Sequence, residues 1–184
     1  MSKPQPDTLT IDRMSTPVGD ALIVTDEDGY LRLFQWEDEG GRREHLVRRY
    51  YPSAKIVEGR APPAVRTAIE AYFAGRIDAL NGIKWRSVGT DFQQTVWRAL
   101  CDIPVGVTIS YGELARRIGK PKAMRAVGLA NGANPNGLIV PCHRVIGANG
   151  TLTGYGGGLH RKRWLLKHEG AAFKENLPAQ PRLI

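Results

Sequence analysis

Hydrophobic and polar positions follow two different patterns in this chain, and the change lies near residue 90. In the first part, short apolar groups are separated by turn signals such as Pro17-Val18-Gly19, which is typical of strands joined by tight turns. We expect a small antiparallel meander followed by helices, of which the second begins at prolines. Strands are predicted over residues 8–14, 21–25 and 30–36, and helices over residues 42–51 and 62–73.

Beyond residue 89 the apolar positions recur at helical spacing. Thr90 followed by Gln93 forms a capping-box pattern, and apolar residues four positions apart predict a helix that continues to about Cys101. Because Cys101 lies beside the apolar face of this helix, we expect it to be a structural residue.

Two short helices follow, separated by a turn. Ser110 and Glu113 repeat the capping-box pattern before a helix that ends at Gly119, and residues 122–131 form the second helix. This arrangement predicts a helix-turn-helix. The second helix is rich in alanine and glycine, apart from Arg125. Its small residues would allow either close approach to another surface or tight packing inside the protein, and the pattern does not decide between them.

Together these elements predict an α+β fold. A small N-terminal antiparallel β-sheet with helices, residues 1–88, is expected to be a scaffold domain, and no catalytic constellation is recognisable in it. A mainly helical C-terminal domain containing the helix-turn-helix occupies residues 89–184.

The net charge of +8 belongs entirely to the second half of the chain. Residues 1–90 hold 13 Lys and Arg against 13 Asp and Glu, whereas residues 91–184 hold 13 against 5. Such an excess favours a polyanionic partner, although a basic surface without a partner is the alternative.

The N-terminal residues are polar and contain prolines, and no segment has the length and apolar character of a membrane span. We therefore expect a soluble, cytoplasmic protein with no membrane partner. The two cysteines, Cys101 and Cys142, do not form a Cys-x-x-Cys pair, so neither a disulfide framework nor a zinc site is expected, and no metal is assigned.

Cys142 is the candidate for chemistry. An apolar run over residues 138–140 predicts a buried strand that ends at Pro141-Cys142-His143-Arg144-Val145. A buried cysteine alone is usually inert. The neighbouring His143 and Arg144 change this interpretation, because a base or a cation favours the reactive thiolate.

Several separated motifs now support one family. They recur in order from about Phe92 to Gly170, and they resemble those of the O6-alkylguanine-DNA alkyltransferases, the methylated-DNA–protein-cysteine methyltransferases, in their bacterial type without an N-terminal zinc. The motifs are Pro141-Cys142-His143-Arg144-Val145, Asn134-Pro135, Arg125-Ala126-Val127-Gly128 and Trp164-Leu165-Leu166-Lys167-His168-Glu169-Gly170.

The resemblance implies single, irreversible transfer of an alkyl group from O6-alkylguanine, and from O4-alkylthymine, in DNA to Cys142. His143 would take the thiol proton through a water, Glu169 would orient and charge that histidine, and Asn134 would be a hinge. The base would be flipped out through the minor groove. No cofactor is implied; the partner is double-stranded DNA carrying alkylated guanine, and the protein is expected to be a monomer.

The resemblance also implies residues that contact the DNA and the base. The DNA contacts are Tyr111, Lys120 and Arg125, and the walls of the guanine pocket are Val145, Tyr155, Gly156 and Gly157.

Two other classes of function remain possible at this point. A Cys-His-Glu hydrolase uses the same residue types, but no oxyanion hole is recognisable. A non-catalytic DNA-binding regulator or lesion sensor uses the helix-turn-helix, but it does not need Cys142 and Glu169.

Some relatives carry proline at the position of Gly137 and serine or alanine at that of Gly156, so we expect a wide pocket here.

Overall fold

A computed structural model describes residues 5–37 and 44–175 of the chain. Its N-terminal half contains a four-stranded sheet in the order β3-β2-β1-β4. The first three strands form the predicted antiparallel meander, and β4 pairs parallel to β1. The strands are β1 (Thr8–Thr16), β2 (Gly19–Asp26), β3 (Leu31–Trp36) and β4 (Lys55–Glu58). Sequence analysis missed β4 because it has four residues with exposed charges at both ends.

Helices cover both faces of this sheet. The helices are α1 (Glu44–Tyr50) and α2 (Pro63–Phe73). Residues 42 and 43 of the first predicted helix lie outside the described residues. In β2, Ile23 packs with Ile69 of α2, while Leu22 packs with Val47 of α1 on the opposite face. Because both faces are covered, the buried positions of β2 run continuously instead of alternating.

The second half is mainly helical, as predicted. Its elements are α3 (Asp91–Cys101), β5 (Ile109–Ser110), α4 (Tyr111–Arg117), α5 (Met124–Gly132), a 3-10 turn (Cys142–Arg144), β6 (Val145–Ile146) and α6 (Leu159–His168). The Thr90–Gln93 capping box is present at the start of α3. Gly119 follows α4 with a φ of +70°, which glycine adopts readily at the end of a helix. Helices α4 and α5 form the predicted helix-turn-helix.

Two local predictions are wrong in detail. The Ser110 side chain caps α4, but the Glu113 carboxylate bonds to Arg116 and Arg117 instead of completing a capping box. Residues 138–140 form turns, not a strand, and the Val140 N–H donates to the Asn136 carbonyl. The apolar run is buried because it crosses the core in a compact turn; burial alone does not distinguish a strand from a turn.

The proposed division at residues 88 and 89 stays a prediction, and hydrogen bonds cross between the two halves. Phe34 of β3 forms an isolated parallel bridge with Asn136, and the Gln35 side-chain amide donates to the Asn134 carbonyl at 3.1 Å. Among the described residues, no helix combines the length and the apolar character needed to cross a membrane.

Candidate active site

Cys142 begins the 3-10 turn that follows Pro141, and the residue is 5% exposed. The cysteine lines a cavity of about 220 Å³, and its Sγ lies 4.0 Å from the Gly137 carbonyl oxygen. Burial raises the pKa of the thiol, although the Asn134 side chain and the charge of Lys162 oppose this shift. The resting thiol is therefore neutral, and it needs a base to become a nucleophile.

His143, the next residue, is held by a carboxylate. Its Nε2 lies 3.0 Å from Oε1 of Glu169, and both side chains are 0% exposed. Burial lowers the pKa of His143, against the opposing effect of Glu169, so the imidazole is neutral at rest. A neutral ring with Nε2–H donating to Glu169 leaves Nδ1 as the acceptor. Within the described part of the chain, this Nδ1 is buried and has no hydrogen-bond partner.

Glu169 directly follows α6 and accepts hydrogen bonds from three side chains. Arg144 donates through Nε at 2.8 Å and Nη2 at 3.0 Å, and the Tyr72 hydroxyl donates at 3.0 Å. Burial opposes ionisation of the carboxyl, but His143 and Arg144 outweigh it and hold the pKa of Glu169 well below its usual range. The carboxylate is therefore charged in the buried site.

Arg144 and Tyr72 correct the sequence interpretation. Arg144 was expected to act on the thiol, but its guanidinium bonds to Glu169 and to the Ile103 carbonyl. Tyr72 belongs to α2, in the half of the chain that was assigned only a scaffold role. A pattern of apolar positions places Tyr72 in the core but cannot show what its hydroxyl contacts.

Asn134 joins α5 to the turn that carries the cysteine. Its Nδ2 donates to the Val140 carbonyl at 2.8 Å, and its Oδ1 accepts from the Asn136 N–H at 2.9 Å. The side chain thus fixes the ends of the segment between α5 and Cys142. The hinge role expected from the resemblance stays a prediction.

The cavity walls come from both halves of the chain. Tyr155, Gly156 and Gly157 line the cavity together with residues that the sequence did not single out, and their contact with guanine stays a prediction. Val145 is not among its lining residues, and its side chain is buried in the core that contains Cys142. The unpredicted lining residues include Gln35, Trp36, Leu46, Tyr50 and Asn131.

A buried lysine lies beneath the site. The Lys162 ammonium donates to the Val145 carbonyl at 2.6 Å and to the Thr153 carbonyl at 3.1 Å. Burial lowers the pKa of Lys162 to about 8, and the Cys142 charge opposes the shift. The sequence did not predict that Lys162 is buried, because the charge of a lysine on a helix is usually solvated.

The predicted DNA-contacting residues lie on the helix-turn-helix. Lys120 and Arg125 are exposed, whereas Tyr111 is half-buried and its hydroxyl accepts a hydrogen bond from Thr153. The exposed face of α5 carries a large side chain besides Arg125, because Leu129, one turn later, is 77% exposed.

Cys101 does not have the structural role expected from its position. More than a third of its surface is exposed at the end of α3, and the residue is a free thiol. Burial of the sulfur, followed by the nearby Asp102 charge, raises the pKa of Cys101 to about 11. This thiol is therefore a poor nucleophile at neutral pH.

Known proteins share these features. Residues 91–171 match the family model described as the 6-O-methylguanine DNA methyltransferase, DNA binding domain. A methylated-DNA–protein-cysteine methyltransferase of Salmonella typhimurium is 45% identical over 164 residues, covering 88% of this chain and 96% of the relative. One of Methanosarcina mazei is 45% identical over 156 residues, covering 85% and 94%.

Solved structures agree over nearly the whole length. The O6-methylguanine methyltransferase of Mycobacterium tuberculosis has a TM-score of 0.73 at 40% identity, covering 94% of this chain and 97% of that one. The OGT protein of that organism in complex with DNA has a TM-score of 0.72 at 41% identity, covering 88% and 92%. With the buried Cys142 and the His143–Glu169 pair, these similarities show that the chain belongs to the methylated-DNA–protein-cysteine methyltransferases.

Proposed function

We propose that Cys142 is the residue on which this protein accepts the alkyl group. The activity is that of the family: DNA repair by transfer of an alkyl group from alkylated guanine in DNA to a cysteine of the protein itself. Membership of this family argues against the hydrolase and the non-catalytic DNA-binding protein. The observation that carries the assignment is the His143 imidazole, which is neutral, bonded to Glu169 through Nε2 and open at Nδ1, directly after a buried cysteine in a cavity.

Activation of the thiol follows from these charges. The neutral Nδ1 of His143 takes the Cys142 proton through an intervening water, and the ionised Glu169 stabilises the imidazolium that forms. Arg144 keeps Glu169 ionised in its buried position. The proton transfer therefore creates a thiolate beside a cation instead of an isolated buried charge.

The reaction then proceeds once. The thiolate sulfur forms a bond to the saturated carbon of the alkyl group as the bond from that carbon to O6 breaks, and the electron pair leaves with the guanine. The product is a thioether. Unlike a thioester, it has no carbonyl for water to attack, so the protein is consumed in the reaction.

Double-stranded DNA carrying alkylated guanine is the partner, and we propose that α5 enters its minor groove. Lys120 supplies a cation for the phosphates, and Arg125 fills the space in the stack after the base has been flipped. Tyr111, at the start of α4, faces the target nucleotide. That the protein acts as a monomer in the cytoplasm stays a prediction.

Single-turnover transfer from O6-methylguanine duplex DNA tests the assignment as a function of pH. Cys142→Ser abolishes transfer and retains DNA binding. Glu169→Gln slows transfer by about 10²-fold, the scale of one general base, and shifts the pH–rate profile upward because the thiolate–imidazolium pair loses its counter-charge. An unchanged profile in Glu169→Gln would refute the relay.

A further inference from the structure

The edge strand β3 of the N-terminal sheet holds one wall of the cavity. The Phe34 N–H donates to the Pro135 carbonyl at 2.9 Å, and the Gly137 N–H donates to the Phe34 carbonyl at 3.1 Å. The Gln35 amide donates to the carbonyls of Asn134 at 3.1 Å and Pro135 at 2.9 Å. The segment 134–137 is therefore bonded to β3 as an extension of the sheet.

Trp36, the last residue of β3, joins this wall to the opposite one. Its indole Nε1–H donates to the Tyr155 hydroxyl at 3.2 Å, and that hydroxyl donates to the Gly137 carbonyl at 2.6 Å. The ring also packs against Gly157, where an added Cβ would lie 2.2 Å from Cδ1 of Trp36. Only glycine permits this close approach, so the loop and the strand are fitted to each other.

Arg161 of α6 fixes the loop that contains Gly157 to the N-terminal half. Its guanidinium donates to the Gly157 carbonyl at 2.9 Å and to the Val18 carbonyl at 2.8 Å, and it lies 5.4 Å from the centre of the Trp36 ring. Both walls are consequently tied to one sheet that lies outside the DNA-binding elements.

We propose that Trp36 is a positioning residue for alkyl transfer, acting through Tyr155 to fix the distance between the two cavity walls. The inference rests on the proposed role of Cys142, whose Sγ faces the same Gly137 carbonyl that Tyr155 holds. A hydrogen-bonded chain polarises and orders its members. When the indole donor is removed, Tyr155 gains freedom and the base is held less accurately relative to the sulfur, which slows a displacement that requires alignment.

Single-turnover kinetics of Trp36→Phe test this role. The variant keeps an aromatic ring but loses the donor, and we expect a transfer rate at saturating DNA about tenfold below wild type, within the range that a misplacement of about 1 Å produces. All molecules should still react, the affinity for undamaged duplex should be unchanged, and the pH–rate profile should not shift. Trp164→Phe is the matched control, because Trp164 packs on the same core without lining the cavity; it should react at the wild-type rate.

A double-mutant cycle tests the route through Tyr155. If Trp36 acts through that hydroxyl, Trp36→Phe combined with Tyr155→Phe is no slower than Tyr155→Phe alone. Multiplying rate losses would overturn the proposal, and so would a wild-type rate in Trp36→Phe. A reduced reacting fraction with an unchanged rate would mean that Trp36 only stabilises the fold. Absence of transfer in the wild type would instead refute the role of Cys142.

Discussion

Tyr72→Phe measures how far the N-terminal half supports the Glu169 carboxylate. The Tyr72 hydroxyl donates to Oε1 of Glu169 at 3.0 Å, and the residue is fully buried. A hydrogen bond to a charged group contributes about 1.5–3 kcal/mol to the free energy of unfolding. For a chain of this length, that loss corresponds to a melting temperature lower by about 3–12 °C. Transfer should slow far less than in Glu169→Gln, because His143 and Arg144 still hold the carboxylate.

The pH dependence of this loss identifies its cause. The folded-state pKa of Glu169 is lowered, so its ionised form contributes stability that is complete above the unfolded pKa of about 4.3 and is lost as pH falls toward the folded pKa. Without the Tyr72 donor the folded pKa is less depressed. Because the unfolded pKa is the same in both proteins, the stability difference between wild type and Tyr72→Phe should be constant at every pH above the folded pKa of Glu169 in the variant, which itself lies below about 4.3, and should shrink only at more acidic pH.

Urea unfolding from neutral to acidic pH is the assay, and Tyr51→Phe is the control. Tyr51 is also buried, but its hydroxyl interacts with the guanidinium of Arg32 and not with Glu169. Its stability loss should not follow the titration of Glu169. A Tyr72→Phe loss that already changes between pH 7 and pH 5, or a transfer rate as low as that of Glu169→Gln, would contradict the reasoning.

Two further predictions concern the DNA face and the cavity. Lys120→Ala should reduce by about 1 the slope of log K against log salt concentration, where K is the association constant for duplex DNA. Leu129→Ala should weaken duplex binding without changing this slope, because an apolar contact releases no counterion. Equal slopes in both variants would remove Lys120 from the phosphate contacts. Gly156→Ala should slow transfer of bulky alkyl groups more than methyl with little change in melting temperature, since among residues 5–37 and 44–175 no atom beyond its chain neighbours lies within 4 Å of the added Cβ. Gly157→Ala should destabilise the protein through its clash with Trp36, and similar effects at both glycines would contradict this distinction.

The sequence predicted those features of the fold and the site that depend on residues close together along the chain. The capping box at Thr90 and the glycine at the end of α4 are local signals, and the structure confirms the helices that they predict. The motif around Cys142 also gave the family correctly. Local spacing was sufficient in these cases because the chemistry of a cap or a motif lies within a few residues.

Long-range contacts could not be predicted in this way. Tyr72 bonds to Glu169 across 97 positions and Trp36 to Tyr155 across 119, and an apolar pattern shows only that an aromatic ring is buried. The same limit explains Arg144, whose proximity to Cys142 in sequence suggested action on the thiol, although its guanidinium is directed to Glu169. Val145 was assigned to the pocket for its place in the motif, but its side chain is buried in the core that contains Cys142.

The central claim is that one alkyl group is transferred to Cys142 and remains there. Intact-protein mass spectrometry, with peptide mapping, after incubation with excess O6-methylguanine duplex tests this most directly. We expect a mass increase of one methyl group per chain, mapped to Cys142, with Cys101→Ser behaving as wild type and Cys142→Ser unmodified. Repair of more lesions than there are protein molecules, or a methyl group on Cys101, would contradict the account.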